Sequence, residues 1–581
     1  MTRGRRRLPA AAKLLLATAA FLLVTAAFLL RHSLDPLYII IKGYHGFHGY
    51  HGHDADRTFV TGHDRFVLHP DNHADRDAYT FKNHWRITSG YRRPDGVLKR
   101  VYLVNDAFIG PTIEVRPGDR LIITVENALE DEETVSLHWH GLSMRGANDM
   151  DGAAGITQSP IAAGGSFTYD FVIDNDQHGT FWWHAHDGVQ RADGLYGGLV
   201  IHQTGPRSAV FEEERLLLIG DWYHRSAEDA LRFYMHPGAF GLETIPDSIL
   251  LNGQGHFNCA DAVPARPLDC TRPDSQRAIN LHSADQIWRV VNVGAYAGFS
   301  LSMSQGVMAA LAVDGGHRIA GATSKTVGVL HPGERVSLRV EPSSLHRPDA
   351  EGLSIMLEED AFKYQNPALT AKQSFPIFWR DGLLDSEYSP QGVYEQFDVQ
   401  SAQPLEHQNR GLPQQANQTI VLYTITQKLA ILENEPHGFI NHTRWMPSQT
   451  PLRELQREEW DEYQFVPLIR YNKSSPLWVD VVLNNLDEDS HPFHLHGHDF
   501  WVLSQYSSPF NWGSYNPFED EEPPGGRFDI AQAVKKDTVH VPRRGYAILR
   551  FRADNGPGIW MFHCHVLWHQ ASGMSMAFEV N

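Results

Sequence analysis

The most informative stretch of this sequence lies near its carboxyl end, where it reads His563-Cys564-His565-Val566-Leu567-Trp568-His569-Gln570-Ala571-Ser572-Gly573-Met574. It contains three imidazoles, a thiol and a thioether, all of which are groups that ligate transition metals. Successive side chains of a β-strand point to opposite faces, so His563 and His565 share one face and Cys564 lies on the other. The stretch therefore predicts a strand that contributes ligands to two metal sites.

An earlier stretch, residues 491–496, supplies further ligands for both sites. His491 lies three residues before His494, so on a strand it faces away from that histidine. Together with Cys564 and His569 it gives two imidazoles and a thiolate, to which Met574 adds a weak axial thioether. This is the ligand set of a blue-copper electron-transfer site.

Histidine is abundant in this chain, with 33 residues against 3 cysteines. Four His-X-His pairs lie in strand-like contexts, and each pair can direct two imidazoles to one site. Together they offer eight imidazoles, more than a closed four-ligand zinc site uses. A multinuclear metal centre is predicted from these pairs: His138/His140, His184/His186, His494/His496 and His563/His565.

Short apolar or alternating runs, separated by Gly, Pro, Asn and Asp, follow one another from residue 79 onward. They predict strands and turns, with one short helix near residues 227–234. The motifs near residues 140 and 185 have counterparts near residues 495 and 564, so one unit recurs at both ends. We predict an all-β chain with a basic tail and signal-anchor segment (1–31), a His/Gly-rich linker (32–65), β domains (66–205, 206–375 and 416–581) and a second linker (376–415).

These motifs resemble those of multicopper oxidases of the laccase type, in particular the ascomycete fungal kind, over residues 66–581. The resemblance implies three consecutive cupredoxin-like Greek-key β-barrel domains and four copper ions. His491, Cys564 and His569 match the type 1 copper ligands, with Met574 axial. The other positions match the type 2 ligands, His138 and His494, and the ligands of the type 3 pair, His140, His184, His186, His496, His563 and His565.

The resemblance implies an oxidase that removes single electrons from a small donor and reduces dioxygen to water. An axial methionine favours easily oxidised donors, so we expect phenols such as diphenols, aminophenols or naphthols. Oxidation of Fe(II) or Cu(I) is the alternative; ferroxidase relatives have a glutamate where this chain has Ala192, and a methyl group cannot bind a hard cation. Copper storage without enzymatic activity is a third hypothesis.

Three positions concern proton transfer. Asp151 matches the acid near the type 2 copper and is the predicted proton carrier, with a plain turn carboxylate as the alternative. Asp221 matches an acid that in some laccases accepts the proton of a bound phenol. The alternative is that Asp221 is a structural carboxylate at the end of a strand. Leu567 occupies a position that is acidic in many relatives, so we expect a different proton path near the type 3 pair.

The amino end predicts entry into the secretory pathway. Residues 1–13 contain five basic residues and no acid, and an uncharged, mostly apolar run follows at 14–30. Its length lies between that of a signal peptide and that of a spanning helix. We favour an uncleaved anchor with residues after Arg31 outside the cytoplasm, and a cleaved signal sequence is the alternative.

Two further patterns fit an oxidising compartment. Cys259 and Cys270 are close in sequence and suit a local disulfide, which leaves Cys564 free to ligate a metal. Three Asn-X-Ser/Thr sequons predict glycosylation at Asn417, Asn441 and Asn472.

Composition excludes some partners. The formal net charge of -19 disfavours nucleic acid, whose binding requires clustered Lys and Arg. Expected partners are dioxygen, a small reducing donor and a membrane through the amino end, and we expect a monomer. The Gly/His tract at 43–54 is interpreted as a flexible spacer, with transient copper capture as the alternative.

Overall fold

The computed structural model describes residues 65–130, 132–205, 213–271, 279–281, 286–304, 306–341, 352–379, 395–406, 408–409, 411–470, 474–510 and 512–581. The predicted basic tail and membrane or signal helix lie outside these ranges, as does the linker up to residue 64. Within the described residues, no helix has the length and apolar character needed to span a membrane.

Strands are the main regular secondary structure of the described residues, as the sequence pattern predicts, and burial alternates along several of them. In the first third they are β1 (Val67–Leu68), β2 (Thr80–Arg92), β3 (Lys99–Val104), β4 (Ile113–Val115), β5 (Arg120–Asn127), β6 (Leu137–His140), β7 (Ser166–Val172), β8 (Gly179–Ala185) and β9 (Tyr196–Ile201). The middle third contains β10 (Glu213–Trp222), β11 (Ser248–Leu251), β12 (Ile279–Leu281), β13 (Gln286–Asn292), β14 (Phe299–Met303), β15 (Val307–Val313), β16 (His317–Ala320), β17 (Thr323–Ser324), β18 (Thr326–Leu330), β19 (Arg335–Glu341), β20 (Leu353–Leu357), β21 (Lys372–Phe375) and β22 (Ile377–Trp379).

The last third continues with β23 (Phe397–Asp398), β24 (Gln403–Pro404), β25 (Gln418–Lys428), β26 (Pro436–Ile440), β27 (Leu468–Ile469), β28 (Leu477–Asn485), β29 (His491–Leu495), β30 (Phe500–Tyr506), β31 (Val534–Lys536), β32 (Thr538–Val541), β33 (Tyr546–Ala553), β34 (Gly558–Cys564) and β35 (Ser575–Val580). The α-helices are short: α1 (Asp71–Ala74), α2 (Ala227–Met235) and α3 (Leu567–Ala571). Single 3-10 turns occupy Asn148–Met150, Gln190–Asp193, Pro237–Ala239, Cys259–Asp261, Glu359–Ala361, Val399–Ser401, Ala430–Leu432, Leu452–Glu454, Arg457–Glu459 and Ile530–Gln532.

The larger sheets occur in pairs along the chain. In the first third, the strand orders are β3-β2-β5-β7 and β4-β9-β8-β6; in the last third they are β26-β25-β28-β33-β30-β31 and β27-β35-β34-β29-β32. Between them lie a nine-stranded sheet, centred on β10-β13-β19-β15, and the sheet β21-β20-β14-β18-β23. The first and last thirds thus repeat a two-sheet unit, in agreement with the sequence repeat.

Strand register brings the histidine motifs together. In the first third, β6 and β8 are antiparallel neighbours, and His138 lies opposite His184. In the last third, β29 and β34 are antiparallel, and His494 lies opposite His563. Because alternate side chains of these strands share a face, each ladder presents four imidazoles together.

Helix α2 confirms the predicted short helix and covers part of the site. Ser226 caps its amino end by accepting a hydrogen bond from the backbone N–H of Asp229. Its buried residues are Ala227, Ala230 and Tyr234, and Tyr234 lies 6.0 Å, between ring centroids, from His569. The helix therefore packs over the motif at residues 563–574.

Four short strand pairings depart from the predicted domain boundaries. Strand β1, just after residue 66, pairs with β10 of the middle region instead of the first sheets. Strands β22, β23 and β24 lie inside the predicted linker 376–415, yet they pair with β12, β18 and β16. Sequence composition indicated a linker there because the segment is polar, and backbone hydrogen bonds with edge strands do not require apolar side chains.

Candidate metal centres

Eight histidines from the first and last thirds of the chain form one buried cluster. Their ring nitrogens fall into three groups, in each of which one ligand atom per residue lies within 4.8 Å of the others. We call these eight residues the histidine cluster. The groups are His138, His140 and His494; His140, His184 and His565; and His186, His496 and His563.

The converging atoms are mostly Nε2. The Nε2 atoms of His138 and His494 lie 3.4 Å apart, and Nε2 of His563 lies 3.1 Å from that of His496. Nε2 of His184 is buried and has no hydrogen-bond partner. A buried imidazole nitrogen without a partner is costly, and a bound metal ion would satisfy it. The cluster therefore fits a multinuclear metal centre.

The opposite ring nitrogens are held by the protein. Nδ1 of His138 lies 2.8 Å from the carbonyl oxygen of Asp151, and Nδ1 of His494 lies 2.8 Å from that of Asp537. Nδ1 of His563 lies 2.9 Å from the carbonyl oxygen of Cys564. Such contacts fix the ring orientation and leave Nε2 free to bind a metal ion.

Burial favours the neutral form of seven imidazoles of the cluster. It lowers their pKa, and this outweighs the nearby carboxylate of Asp537, which raises the pKa of His140 and His494. Neutral imidazole is the form that ligates metal ions. The histidines affected are His140, His184, His186, His494, His496, His563 and His565.

A second centre lies on the other face of β34. Sγ of Cys564 is 3.7 Å from Nδ1 of His491 and 3.8 Å from Nδ1 of His569, and the two Nδ1 atoms are 3.1 Å apart. Met574 is fully buried, and its backbone bonds both to the carbonyl of His569 and to the N–H of Cys564. The structure therefore separates the ligands of the two centres as strand alternation predicts.

Charges at this second centre differ from those of the cluster. Burial would raise the pKa of the Cys564 thiol, but hydrogen bonds to the two imidazoles lower it to about 7. Burial would lower the pKa of His491, but Asp487 and the thiol raise it to about 10. A thiolate next to two imidazoles is the arrangement that binds a blue copper ion.

Sequence reasoning missed the carboxylates behind these imidazoles. Nε2 of His491 lies 2.9 Å from Asp487, and Nε2 of His569 lies 3.2 Å from Glu243. The ammonium group of Lys363 lies 3.2 Å from Glu243 and also contacts Asp489. Asp487 precedes His491 by four residues and could have been noticed, whereas Glu243 and Lys363 are remote in sequence and carry no local signal.

Asp151 reaches the histidine cluster. Its Oδ2 lies 2.8 Å from Nδ1 of His496, and its Oδ1 is buried without a hydrogen-bond partner. The side chain is fully buried. A carboxylate in this place orients one imidazole and has one oxygen available for a proton, which is compatible with the predicted role of Asp151.

Asp221 has a different environment. Its Oδ1 accepts a hydrogen bond from the N–H of Ala295 (2.6 Å), and its Oδ2 accepts bonds from the N–H groups of Tyr296 and Ala297 (both 2.9 Å). Burial raises the pKa of this carboxyl group. Because both oxygens are engaged by backbone donors, the geometry favours the structural alternative over a base that meets a donor.

Leu567 and Ala192, the two positions where this sequence differs from the pattern of its relatives, are also buried. Leu567 is 3% exposed and donates its N–H to the carbonyl of Ala295. Ala192 is 7% exposed within the turn Gln190–Asp193, which contacts α2. Neither position offers a carboxylate to a proton or a cation.

Two buried cations next to the cluster carried no sequence signal. Nη1 of Arg191 lies 2.5 Å from Nδ1 of His565, and burial lowers the pKa of this guanidinium to about 9. Arg335 forms an ion pair with Asp537, whose Oδ1 lies 3.4 Å from Nε2 of His140. These long-range contacts depend on the assembly of distant strands.

Those of the remaining predicted sites that the structure describes are half-buried or exposed. Cys259 and Cys270 form the predicted disulfide. Asn417 is exposed, whereas Asn441 is half-buried and its amide donates a hydrogen bond to the carbonyl of Val421. Asn472 lies outside the described residues, as does the His/Gly tract.

Comparisons with known proteins agree with this fold and these centres. Three family profiles, each described as multicopper oxidase, match residues 86–206, 213–346 and 442–581. Among solved structures, that of Fet3p, described as a multicopper oxidase that functions in iron import, covers 86% of this chain and is itself covered to 90%, with a TM-score of 0.72 at 22% identity. The laccase of Botrytis aclada has a TM-score of 0.70 at 25% identity, with 88% and 89% of the two chains covered.

The relatives found by sequence include proteins named laccase and proteins named iron transport multicopper oxidase. Laccase-1 of Cryptococcus neoformans is 29% identical, with 85% of this chain and 78% of the relative covered. Oxidoreductase OpS5 of Beauveria bassiana is 30% identical, with coverages of 86% and 81%. The iron transport multicopper oxidase FET3 of Gibberella zeae is 28% identical, with coverages of 84% and 74%.

The chain belongs to the multicopper oxidase family and has its mostly-β, cupredoxin-like fold. It is an oxidoreductase whose cofactor is a set of four copper ions, and the predictions of family, enzyme class and cofactor are confirmed. Copper storage without activity is therefore set aside.

Proposed function

We propose that this multicopper oxidase is laccase-like and oxidises phenolic donors. Diphenols, aminophenols and naphthols are the expected substrates, and dioxygen is the electron acceptor. The observation that carries the proposal is the position of Lys363, whose ammonium group pairs with Glu243, the carboxylate that contacts His569, and with Asp489. A cation at this edge weakens its attraction for cationic donors and leaves an uncharged phenol unaffected.

We assign each copper ion to ligands from the geometry of the two centres. His491, Cys564 and His569 would hold the type 1 ion, with Met574 as a further ligand, and His138 and His494 would hold the type 2 ion. When bound, copper supplies one-electron transfer and the reduction of dioxygen. Two groups of three imidazoles would each hold one ion of the type 3 pair: His140, His184 and His565, and His186, His496 and His563.

Strand β34 links the two centres. Cys564 lies between His563 and His565, and its carbonyl oxygen is 2.9 Å from Nδ1 of His563. The chain therefore connects the thiolate to the histidine cluster both through covalent bonds and through one hydrogen bond. This connection supports electron transfer from the type 1 side to the cluster.

Two carboxylates are suited to proton transfer. We assign proton delivery at the cluster to Asp151, whose Oδ2 contacts His496 and whose Oδ1 has no hydrogen-bond partner and lies 3.3 Å from Nδ1 of His138. At the type 1 side, Asp487 contacts His491 and its side chain is 14% exposed. Since a phenol becomes strongly acidic as it loses an electron, a carboxylate here would accept its proton. Asp487 takes over the role that the sequence assigned to Asp221.

Oxidation of a metal ion such as Fe(II) or Cu(I) is the second candidate. It is favoured by the carboxylates of Asp487 and Glu243, which contact the two type 1 imidazoles, and by that of Asp489, which shares Lys363 with Glu243. It is disfavoured by Lys363 and by the buried methyl group of Ala192. Oxygen is the preferred ligand atom of hard cations, so these carboxylates could bind Fe(II). The positive charge of Lys363 is therefore the feature that favours phenols over metal ions as donors.

Oxygen uptake by the copper-loaded protein decides between them. We expect a higher kcat/KM for a diphenol than for Fe(II), and loss of both activities in Cys564→Ser. Lys363→Gln removes the neutralising charge and is expected to raise kcat/KM for Fe(II) without a matching rise for the diphenol. Lys535→Gln, a lysine paired with Asp499, is the matched control. A wild-type preference for Fe(II) would overturn the phenolic assignment.

We also propose that the chain is anchored in, or secreted through, the secretory pathway as a monomer, with its catalytic region outside the cytoplasm. The Cys259–Cys270 disulfide and the exposed Asn417 sequon support this location. Protease protection of isolated vesicles, with intact mass before and after deglycosylation, tests it. Cleavage of the catalytic region in unbroken vesicles with a cytoplasmic face outward would contradict it.

A further inference from the structure

A further group of imidazoles shares no residue with the two copper centres. We propose that His69, His73, His202 and Glu114 form a binding site for one divalent transition-metal ion of the zinc class. His73 lies in α1 and His69 shortly before it, whereas Glu114 and His202 belong to the parallel pair of strands β4 and β9 or follow it directly. A bound ion would join the first described helix of the chain to the sheet behind it.

Strand pairing and the turn before α1 place the ligands. Glu114 lies in β4, and His202 follows β9 directly, with its N–H bonded to the carbonyl of Val115. Oε1 of Glu114 lies 3.0 Å from Nδ1 of His69, and Oε2 lies 2.8 Å from Nε2 of His202. Ligand atoms of His73, Glu114 and His202 lie within 4.8 Å of one another. Ligands of a tetrahedral zinc ion are about 3.3 Å apart, so small movements complete the site.

Hydrogen bonding alone does not account for this group. The side chain of His202 is 1% exposed, and its Nδ1 is buried without a hydrogen-bond partner. The rings of His73 and His202 are stacked with their centroids 4.9 Å apart. Stacked imidazoles also occur in the histidine cluster, where the rings of His140 and His494 are 3.7 Å apart.

Arg76 is the neighbour that competes with an ion. It forms an ion pair with Asp119, and its Nη2 also lies 2.9 Å from Nδ1 of His73. Binding of an ion to His73 would displace this second contact, while the pair with Asp119 remains and balances the guanidinium charge. His69, Glu114 and His202 are therefore the principal ligands, and His73 completes the set.

The ligand types select the ion. Three imidazoles and one carboxylate are typical of Zn²⁺, and they also suit other borderline transition metals. Ca²⁺ and Mg²⁺ prefer sets made of oxygen ligands, which this site does not offer. A site with four protein ligands has no open position, so we assign it a structural and not a catalytic role.

Metal analysis of the full-length, copper-loaded protein tests the proposal. To exclude binding by the Gly/His tract, His45, His48, His51 and His53 are first replaced by serine. This background protein is freed of loosely bound metal and titrated with Zn²⁺, and bound zinc and copper are counted together. We expect one zinc ion per chain in addition to an unchanged copper content.

Three variants in this background locate the ion. Glu114→Gln and His202→Asn are expected to lose the zinc equivalent, and His69→Asn, an exposed position that tolerates change, to weaken zinc binding at least about tenfold. His236→Asn, another exposed histidine, is the control and should retain the ion. An unchanged blue absorption verifies that each variant is folded. Absence of the extra zinc ion in the background protein, or its persistence in folded variants at Glu114 and His69, would overturn the proposal.

Discussion

The histidine cluster and the His491–Cys564–His569 centre lie on opposite faces of strand β34, yet they balance charge in opposite ways. The pKa values of seven of the eight imidazoles in the cluster are lowered, chiefly because burial disfavours the charged form. At the second centre the pKa values of both imidazoles are raised, because the thiol, Asp487 and Glu243 outweigh burial. The cluster therefore offers neutral imidazoles as ligands. The second centre, in contrast, includes negatively charged groups of the protein.

This difference agrees with the exposure of the two centres. The cluster is enclosed between the first and last thirds of the chain, where few anions besides Asp151 and Asp537 are close. The second centre is backed by Asp487, which is 14% exposed, and by the Lys363 contacts. Oxidation of a donor at the second centre changes the local charge. Charges that are paired near the surface interact weakly, so this change costs little free energy.

The largest effect is expected from removal of the thiolate. Cys564→Ser should abolish the blue absorption and reduce oxygen uptake to background, because a hydroxyl group is a poor ligand for this copper. The histidine cluster should keep its metal, as Cys564 faces away from it. Metal counting and electron paramagnetic resonance check both halves of this expectation. Loss of copper from the cluster in a folded variant would show that the two faces of β34 are not independent.

Asp151→Asn is expected to act on the cluster alone. The amide keeps the size of the side chain but cannot carry the proton, so oxygen reduction should fall about 10- to 100-fold. The blue absorption and its reduction by a diphenol under anaerobic conditions should be unchanged. Asp149→Asn, two residues earlier and 39% exposed, is the matched control. Slower anaerobic reduction in Asp151→Asn would contradict a role confined to the cluster.

Asp487→Asn is expected to act on the second centre alone. The amide oxygen can still accept the bonds from Thr426, but the negative charge next to His491 is lost. Diphenol oxidation should slow about tenfold, and reoxidation of the reduced protein by dioxygen should be unaffected. Glu488→Gln, an exposed neighbour paired with Arg544, serves as the control. Equal rates of anaerobic reduction in Asp487→Asn and wild type would show that Asp487 does not accept the proton of the donor.

Much of this arrangement could be predicted from sequence because it depends on local geometry. The two-residue period of a strand predicts that each His-X-His pair shares a face, and the odd spacing of His491 predicts the separation of the two centres. Contacts such as those of Glu243, Lys363 and Arg191 could not be predicted, since they join residues remote in the chain. For Asp221 the sequence motif identified the residue but not its role. Its role depends on backbone N–H donors at 295–297, which are remote in sequence and are brought close only by the fold.

The smallest effect is expected at the outer edge of the second centre, where Glu243 and Lys363 carry opposite charges. Glu243→Gln removes an anion near the type 1 copper, which should disfavour the oxidised state and raise its reduction potential. Lys363→Gln removes a cation and should lower it. At an effective dielectric of about 20, each change corresponds to several tens of millivolts. In the double variant the two shifts should nearly cancel. Redox titration of the blue absorption measures all three, and shifts of the same sign in the two single variants would refute the charge balance on which the comparison depends.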